Sequence, residues 1–149
     1  IREALSSGAM PTDTLQLLFT ADRSWHIEKI ILPALEQGKI VISDRYALST
    51  IIYGSVLGLD TEWLTSMNDR FIKPDLQLIA LPPFTVCSER VNKRLVKDIM
   101  EEDSLMRKIY DAYSTYSQRH FEFAVIDTSR DKQLTHQDIV EHVKKACYK

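Results

Sequence analysis

Three groupings of residues could carry chemistry. In Lys39-Ile40-Val41-Ile42-Ser43-Asp44-Arg45-Tyr46 an apolar run ends abruptly in an acid, a base and an aromatic. A run without polar alternation, here Lys39 to Ser43, reads as a strand buried on both faces. Its charges then fall at the carboxyl end, where ligands of open α/β sheets sit because loops and helix starts converge there. A carboxylate beside a guanidinium at that point suits an anionic substrate with a metal nearby; an Asp44-Arg45 pair that merely caps the next helix fits the octet equally well. The second grouping is Phe19 with Arg23, four apart in a helical pattern, so that a flat ring and a planar fork reach the same pocket. That combination suits a nucleobase, because stacking is worth about 1 to 3 kcal/mol per base and a guanidinium can donate to a carbonyl edge. An aromatic in the core beside a surface arginine is the competing reading. The third is the tract from Arg90 to Lys97, a charge run that by itself reads as a solvated helix face.

The elements that must hold these groups follow from periodicity. Ile1 to Leu5 reads as the tail of a helix ended by Ser6-Ser7-Gly8. From Pro11 onward Leu15, Leu18, Phe19, Asp22, Arg23, His26, Ile27, Ile30, Ile31 and Leu35 recur at helical spacing. Pro33 inside this pattern would cost about 3 kcal/mol in a straight helix, which predicts a kink or break. After the strand Lys39 to Ser43, residues 47–56 read as a helix with Ser49 and Tyr53 on one face. A further helix is expected from about Thr61 to Ile72, with Leu64, Met67 and Phe71 as its core stripe. Leu76 to Leu81 reads as a second strand, and Pro82-Pro83 opens a helix with Val86 and Val91 inward. Residues 104–120 form a helix with Leu105, Ile109, Ala112, Tyr113 and Tyr116 on one side. Phe123 to Ile126 is the third strand. The last helix is expected to begin at Thr135, with Thr135 and Asp138 as a capping box. Strands alternating with helices imply a parallel sheet covered on both sides.

Composition bounds the function. The 149 residues are 44% hydrophobic and 27% charged, with 19 basic against 21 acidic side chains. That is one ordinary globular domain with no global field for nucleic acid, so any phosphate binding is local. Cys87 and Cys147 lack metal-type spacing, which favours reduced thiols in an intracellular protein. No apolar run approaches the roughly 18 residues of a membrane span. The opening Ile1-Arg2-Glu3-Ala4-Leu5 has no initiator methionine, and three strands are few for about seven helical pieces; both features point to a fragment.

The run from Leu18 to Glu28 (Leu-Phe-Thr-Ala-Asp-Arg-Ser-Trp-His-Ile-Glu), followed by Ile31 to Tyr46, resembles the thymidylate kinase family. Ser49 with Tyr53 and Gly54, Lys73-Pro74-Asp75-Leu76, Pro82-Pro83, Glu89-Arg90 and Val125-Ile126-Asp127 fit the same family in order, so the resemblance extends over nearly the whole chain. It implies a single cytoplasmic nucleotide-kinase domain over 1–149 that phosphorylates dTMP to dTDP, with ATP as donor and Mg2+. The implied fold is a three-layer αβα parallel sheet of the P-loop nucleoside monophosphate kinase type, with its central first strand missing from this chain. Phe19 would stack on thymine and Arg23 would bond a base oxygen. Arg45 would hold the acceptor phosphate, and Asp44 would orient that phosphate, its arginine or hydrated magnesium. Ser49, Thr50 and Tyr53 would line the other wall, Thr50 near the base edge and the Tyr53 ring against C2′ of the sugar. The segment 90–103 would be a lid over ATP, with Arg94, and after it Arg90, neutralising charge on the transferred phosphoryl. Tyr113, Tyr116 and His26 read as structural. The family is usually a homodimer, with no nucleic-acid or membrane partner.

Two departures stand out. Ala80 and Phe84 replace acids that the family commonly carries around Pro-Pro, and no G-x-x-x-x-G-K-[ST] loop occurs in the 149 residues. The leading expectation is therefore a thymidylate kinase whose phosphate loop lies outside this chain, with the chain by itself inactive. The alternatives are another nucleoside or nucleotide kinase of the same fold, or a non-catalytic nucleotide-binding remnant.

Overall fold

In the computed structural model the chain falls into two compact units, Ile1–Ile72 and Lys73–Lys149. The structure describes residues 10–93, 103–120 and 122–147. The expected helix tail Ile1 to Leu5, its stop at Ser6 to Gly8, and most of the lid segment, Arg94 included, lie outside the described residues.

The first unit is helical. Helix α1 spans Thr12–His26 behind Pro11 and buries Leu15 and Gln16. The interruption expected from Pro33 takes the form of a π-turn, Ile27–Ile31, followed by the short helix α2, Leu32–Glu36. The physical reason is local: Pro33 has no N–H to give and its ring crowds the carbonyl four residues earlier. One wider turn just upstream, in which the Leu32 N–H reaches Ile27 O, relieves that crowding without ending the helical path. Ile27 and Ile31 from this turn are buried.

Lys39 to Ser43 is not a strand. It is irregular chain, with Ile40 73% and Ile42 90% exposed. A strand needs a ladder partner, and the described residues of this unit contain no other strand, so high β-propensity alone does not make one. The first of the three expected strands is therefore absent here.

Helix α3, Ala47–Val56, has the expected bounds. Helix α4, Thr61–Asn68, is capped by Asp60, whose carboxylate accepts from Trp63 N at 2.7 Å. It ends four residues short of the expected Ile72. Leu64 is its fully buried core residue, while Met67 and Phe71 are only half-buried. Asn68 ends the buried face, its Nδ2 donating back to Leu64 O at 2.8 Å. Helices α3 and α4 pack closely at Gly54, where a Cβ would lie 2.7 Å from Leu64 Cδ1.

The second unit holds a small parallel sheet. Strand β1, Gln77–Ala80, pairs in parallel with β2, Phe123–Ile126, in the register Gln77↔Phe123 to Ala80↔Ile126. Parallel neighbours require a crossover, and here it includes helix α5, Phe84–Asn92, and helix α6, Asp103–Arg119. Ile79, Ile109 and Ile126 form its core. Helix α7 spans Lys132–Cys147 and packs on β2. It begins before the expected Thr135: Asp131 accepts from Gln133 N at 2.8 Å and claims the cap position, an Asx arrangement that satisfies an orphan amide one turn earlier. Thr135 Oγ1 is instead buried without a partner, and Asp138 pairs with Arg130. The chain is thus of mixed α/β type with a two-stranded parallel sheet among the described residues.

Candidate functional site

The first unit gathers most of the candidates. Arg23 sits three turns into α1, where the periodicity that buries Leu15 and Ile27 turns its side chain toward α3 and α4. Its guanidinium is held by three acceptors. Nη1 donates to Asn68 Oδ1 at 2.5 Å; Nη2 donates to Thr50 Oγ1 at 2.9 Å and to Tyr46 O at 3.1 Å. Its Cζ also lies 5.4 Å from the centroid of the Tyr46 ring. Burial pulls the guanidinium below its ordinary pKa, with Tyr46 and Asp22 opposing; an arginine starts so high that it stays charged. Phe19 is half-buried one turn earlier on the same helix. A planar cation fixed by charge-assisted bonds next to an aromatic is a preorganised platform for a flat, carbonyl-bearing ligand.

Asn68 was not legible as a site residue. It is only 6% exposed, and because its Nδ2 is spent on Leu64 O, its Oδ1 must face Arg23. No local signal marks it, since its partner is 45 residues away. Thr50 is 3% exposed and already accepts from Arg23, so its hydroxyl serves the arginine in this structure.

The loop before α3 carries Asp44 and Arg45. Arg45 has φ 69°, the sole non-glycine residue with positive φ among the described residues. The left-handed region is costly for a side chain and is found where surrounding contacts hold it, often at functional sites. Here Ser43 Oγ donates to Arg45 O at 2.9 Å. Arg45 Nη1 donates to Tyr53 Oη at 2.7 Å, and its Cζ stands 5.1 Å from that ring's centroid. Tyr53 thus stands on α3 facing Arg45. Ser49 is half-buried in the first turn of the same helix, its N–H bonded to Tyr46 O. Tyr46 Oη donates to Ile72 O at 3.0 Å, and burial raises its phenol pKa, with Arg23 opposing. Asp44 is exposed.

The remaining candidates belong to the second unit. Arg90 is tied to the loop after β2, donating to Thr128 Oγ1 at 2.9 Å and Thr128 O at 2.6 Å. Asp127 in that loop accepts from Ser129 N at 2.8 Å, and hydrogen bonding from Ser129 holds its carboxyl below the usual carboxylate range. Phe84 has an edge contact with Tyr110 at 5.4 Å and lies under Arg107 at 4.7 Å. The residue that replaces an acid is therefore a packing residue between α5 and α6. Tyr116 stacks on His120 at 4.1 Å, as a structural aromatic does. Among the described residues no group of three or more His, Cys, Asp or Glu could hold a metal, and no helix is long and apolar enough to cross a membrane.

Residues 1–139 match the family described as thymidylate kinase. A probable thymidylate kinase of Thermococcus kodakarensis is 35% identical over 141 residues, covering 93% of this chain and 69% of the relative. The corresponding protein of Thermococcus onnurineus is 34% identical over 145 residues, 96% of this chain and 71% of its own length. That of Methanocaldococcus jannaschii is 34% identical over 146 residues, 97% and 74% respectively.

Proposed function

The chain belongs to the thymidylate kinase family, and on that footing we propose that it transfers the terminal phosphoryl group of ATP to dTMP, giving dTDP and ADP. The observation that carries the reading is the Arg23 fork, fixed by Asn68, Thr50 and Tyr46 beside Phe19. Phe19 stacks on the base and the remaining donors of Arg23 meet a base carbonyl. Arg45 binds the acceptor phosphate and aims one of its oxygens at the γ-phosphorus of ATP. That oxygen forms the new P–O bond as the bond to the β-phosphate oxygen breaks. Ser49 and Thr50 close the wall, and the Tyr53 ring lies against the sugar.

Asp44, an exposed carboxylate, would hold Mg2+, an ion that is commonly bound through one or two carboxylates together with substrate phosphates. When bound, the ion neutralises charge on the phosphates. Segment 90–103 closes over ATP, with Arg94 or Arg90 as the cation, in one nucleotide-kinase domain of the three-layer P-loop type. The tie from Arg90 to Thr128 favours Arg94 for that task. Leu18 and Trp25, large apolar residues exposed seven apart on α1, support a homodimer through this helix.

A panel of acceptors presented with ATP and Mg2+ to the full-length protein tests the reading. dTMP is expected to be the preferred acceptor over dUMP, dCMP, UMP and thymidine. Preference for a nucleoside, or for another monophosphate, overturns the substrate. Arg45→Ala should raise KM for dTMP and lower kcat, because an orienting contact and a charge are both lost.

A further inference from the structure

We propose that the hydroxyl of Tyr53 is a positioning group for Arg45, so that this tyrosine acts on the acceptor's phosphate through the arginine as well as on its sugar through the ring. The inference rests on the reading of Arg45 as the phosphate-binding arginine.

The loop that bears Arg45 is fastened from several sides. Ser43 Oγ holds the Arg45 carbonyl, and the Tyr46 carbonyl accepts from both Arg23 Nη2 and Ser49 N. The Tyr46 phenol is anchored on Ile72 O. These bonds keep Arg45 at φ 69°, a backbone that an arginine would leave if nothing held it. They fix where its side chain departs but not where its long, flexible arm ends. The end is set by Tyr53, which offers the guanidinium both an acceptor oxygen at 2.7 Å and a ring face at 5.1 Å. Tyr53 lies seven residues along from Tyr46, two turns into α3, about 10 Å of helix rise that the arginine and tyrosine side chains span together. A guanidinium has five N–H donors, so the bond to the phenol takes one of them and does not by itself compete with an anion. Holding the arm in advance reduces the rotamer freedom lost when phosphate binds, which is what preorganisation contributes to affinity.

Ring and hydroxyl are therefore separable. Tyr53→Phe keeps the apolar body and the ring face and removes only the hydroxyl. Affinities of the full-length protein for dTMP, its ribo counterpart 5-methyluridine monophosphate, and thymidine, measured by calorimetry, read the outcome. The variant should bind dTMP about three- to tenfold more weakly, with thymidine binding and the deoxy-to-ribo preference unchanged. In an Arg45→Ala background the same substitution should have no further effect on dTMP. Unchanged dTMP affinity in Tyr53→Phe, when Arg45→Ala alone weakens it, overturns the inference and leaves the phosphate role of Arg45 intact. So does an equal loss for thymidine, or an equal loss with and without Arg45, since the hydroxyl would then act on the ligand or the fold directly. No effect of Arg45→Ala overturns the inference together with the reading beneath it.

Discussion

Gly54→Ala sets two opposing effects of known size against each other. Alanine is favoured over glycine inside a helix by about 0.8 to 1.0 kcal/mol, mostly because glycine has more freedom to lose. Were α3 exposed at this point, the substitution would stabilise the protein by that amount. The new Cβ, however, would lie 2.7 and 2.8 Å from the two Cδ atoms of Leu64 and 3.3 Å from its Cγ, where carbon atoms prefer about 3.5 to 4.0 Å. Leu64 is fully buried, so it cannot swing aside without displacing other packed atoms, and the helix pair must separate. Overpacking of this kind costs about 1 to 3 kcal/mol. The cost offsets or outweighs the propensity gain, and a net destabilisation of up to about 2 kcal/mol is expected in denaturant titration, with an unchanged m-value. Leu64→Ala alone should cost about 2 to 5 kcal/mol, yet the double variant should be more stable than the sum predicts, because the clashing atoms are gone. Since α3 carries Thr50 and α4 carries Asn68, Gly54→Ala should also weaken dTMP binding by loosening the grip on Arg23. A stabilisation near 1 kcal/mol, or strict additivity with Leu64→Ala, would refute the close-packing account.

Burial holds the Tyr46 proton above the ordinary tyrosine pKa, so above pH of about 10 the folded chain binds more protons than the unfolded one. Stability should be whole below that value and fall as pH climbs through the raised pKa; Tyr46→Phe should flatten this alkaline slope in denaturation curves between pH 8 and 11 on the order of the titration window, and an unaltered slope would exclude Tyr46 as its source. At neutral pH the same variant loses the bond to Ile72 O, about 0.5 to 1.5 kcal/mol. At the start of α7, Asp131→Ala should cost about 0.5 to 2 kcal/mol of stability as a lost cap, whereas Thr135→Val should be neutral or stabilising, because it removes a buried hydroxyl with no partner; the reverse order in thermal melts would restore Thr135 as the cap.

The candidate site was partly legible because part of it is local. Phe19 and Arg23 share a helix face by spacing alone, and α3 and β2 follow from short apolar patterns bounded by turn residues. Pro33 announced an interruption from its own chemistry. What remained hidden depends on residues distant in the chain. Asn68 looks like any polar residue near a helix end until Arg23 faces it, and Gln16 interrupts the apolar pattern of α1 yet is 1% exposed. The left-handed backbone of Arg45 leaves no mark in residue type, because arginine adopts it only under contacts such as those of Ser43 and Tyr46. Lys39 to Ser43 has every local attribute of a strand and lacks the one that is not local, a ladder partner. By itself the order of residues determined helix spacing, interruption points and the family resemblance, which are short-range or additive along the chain. Which polar groups are buried, which arginine is held by which acceptor, and whether an apolar run becomes a strand were decided only by tertiary structure, because a hydrogen bond or a ladder exists only when its second partner is brought alongside.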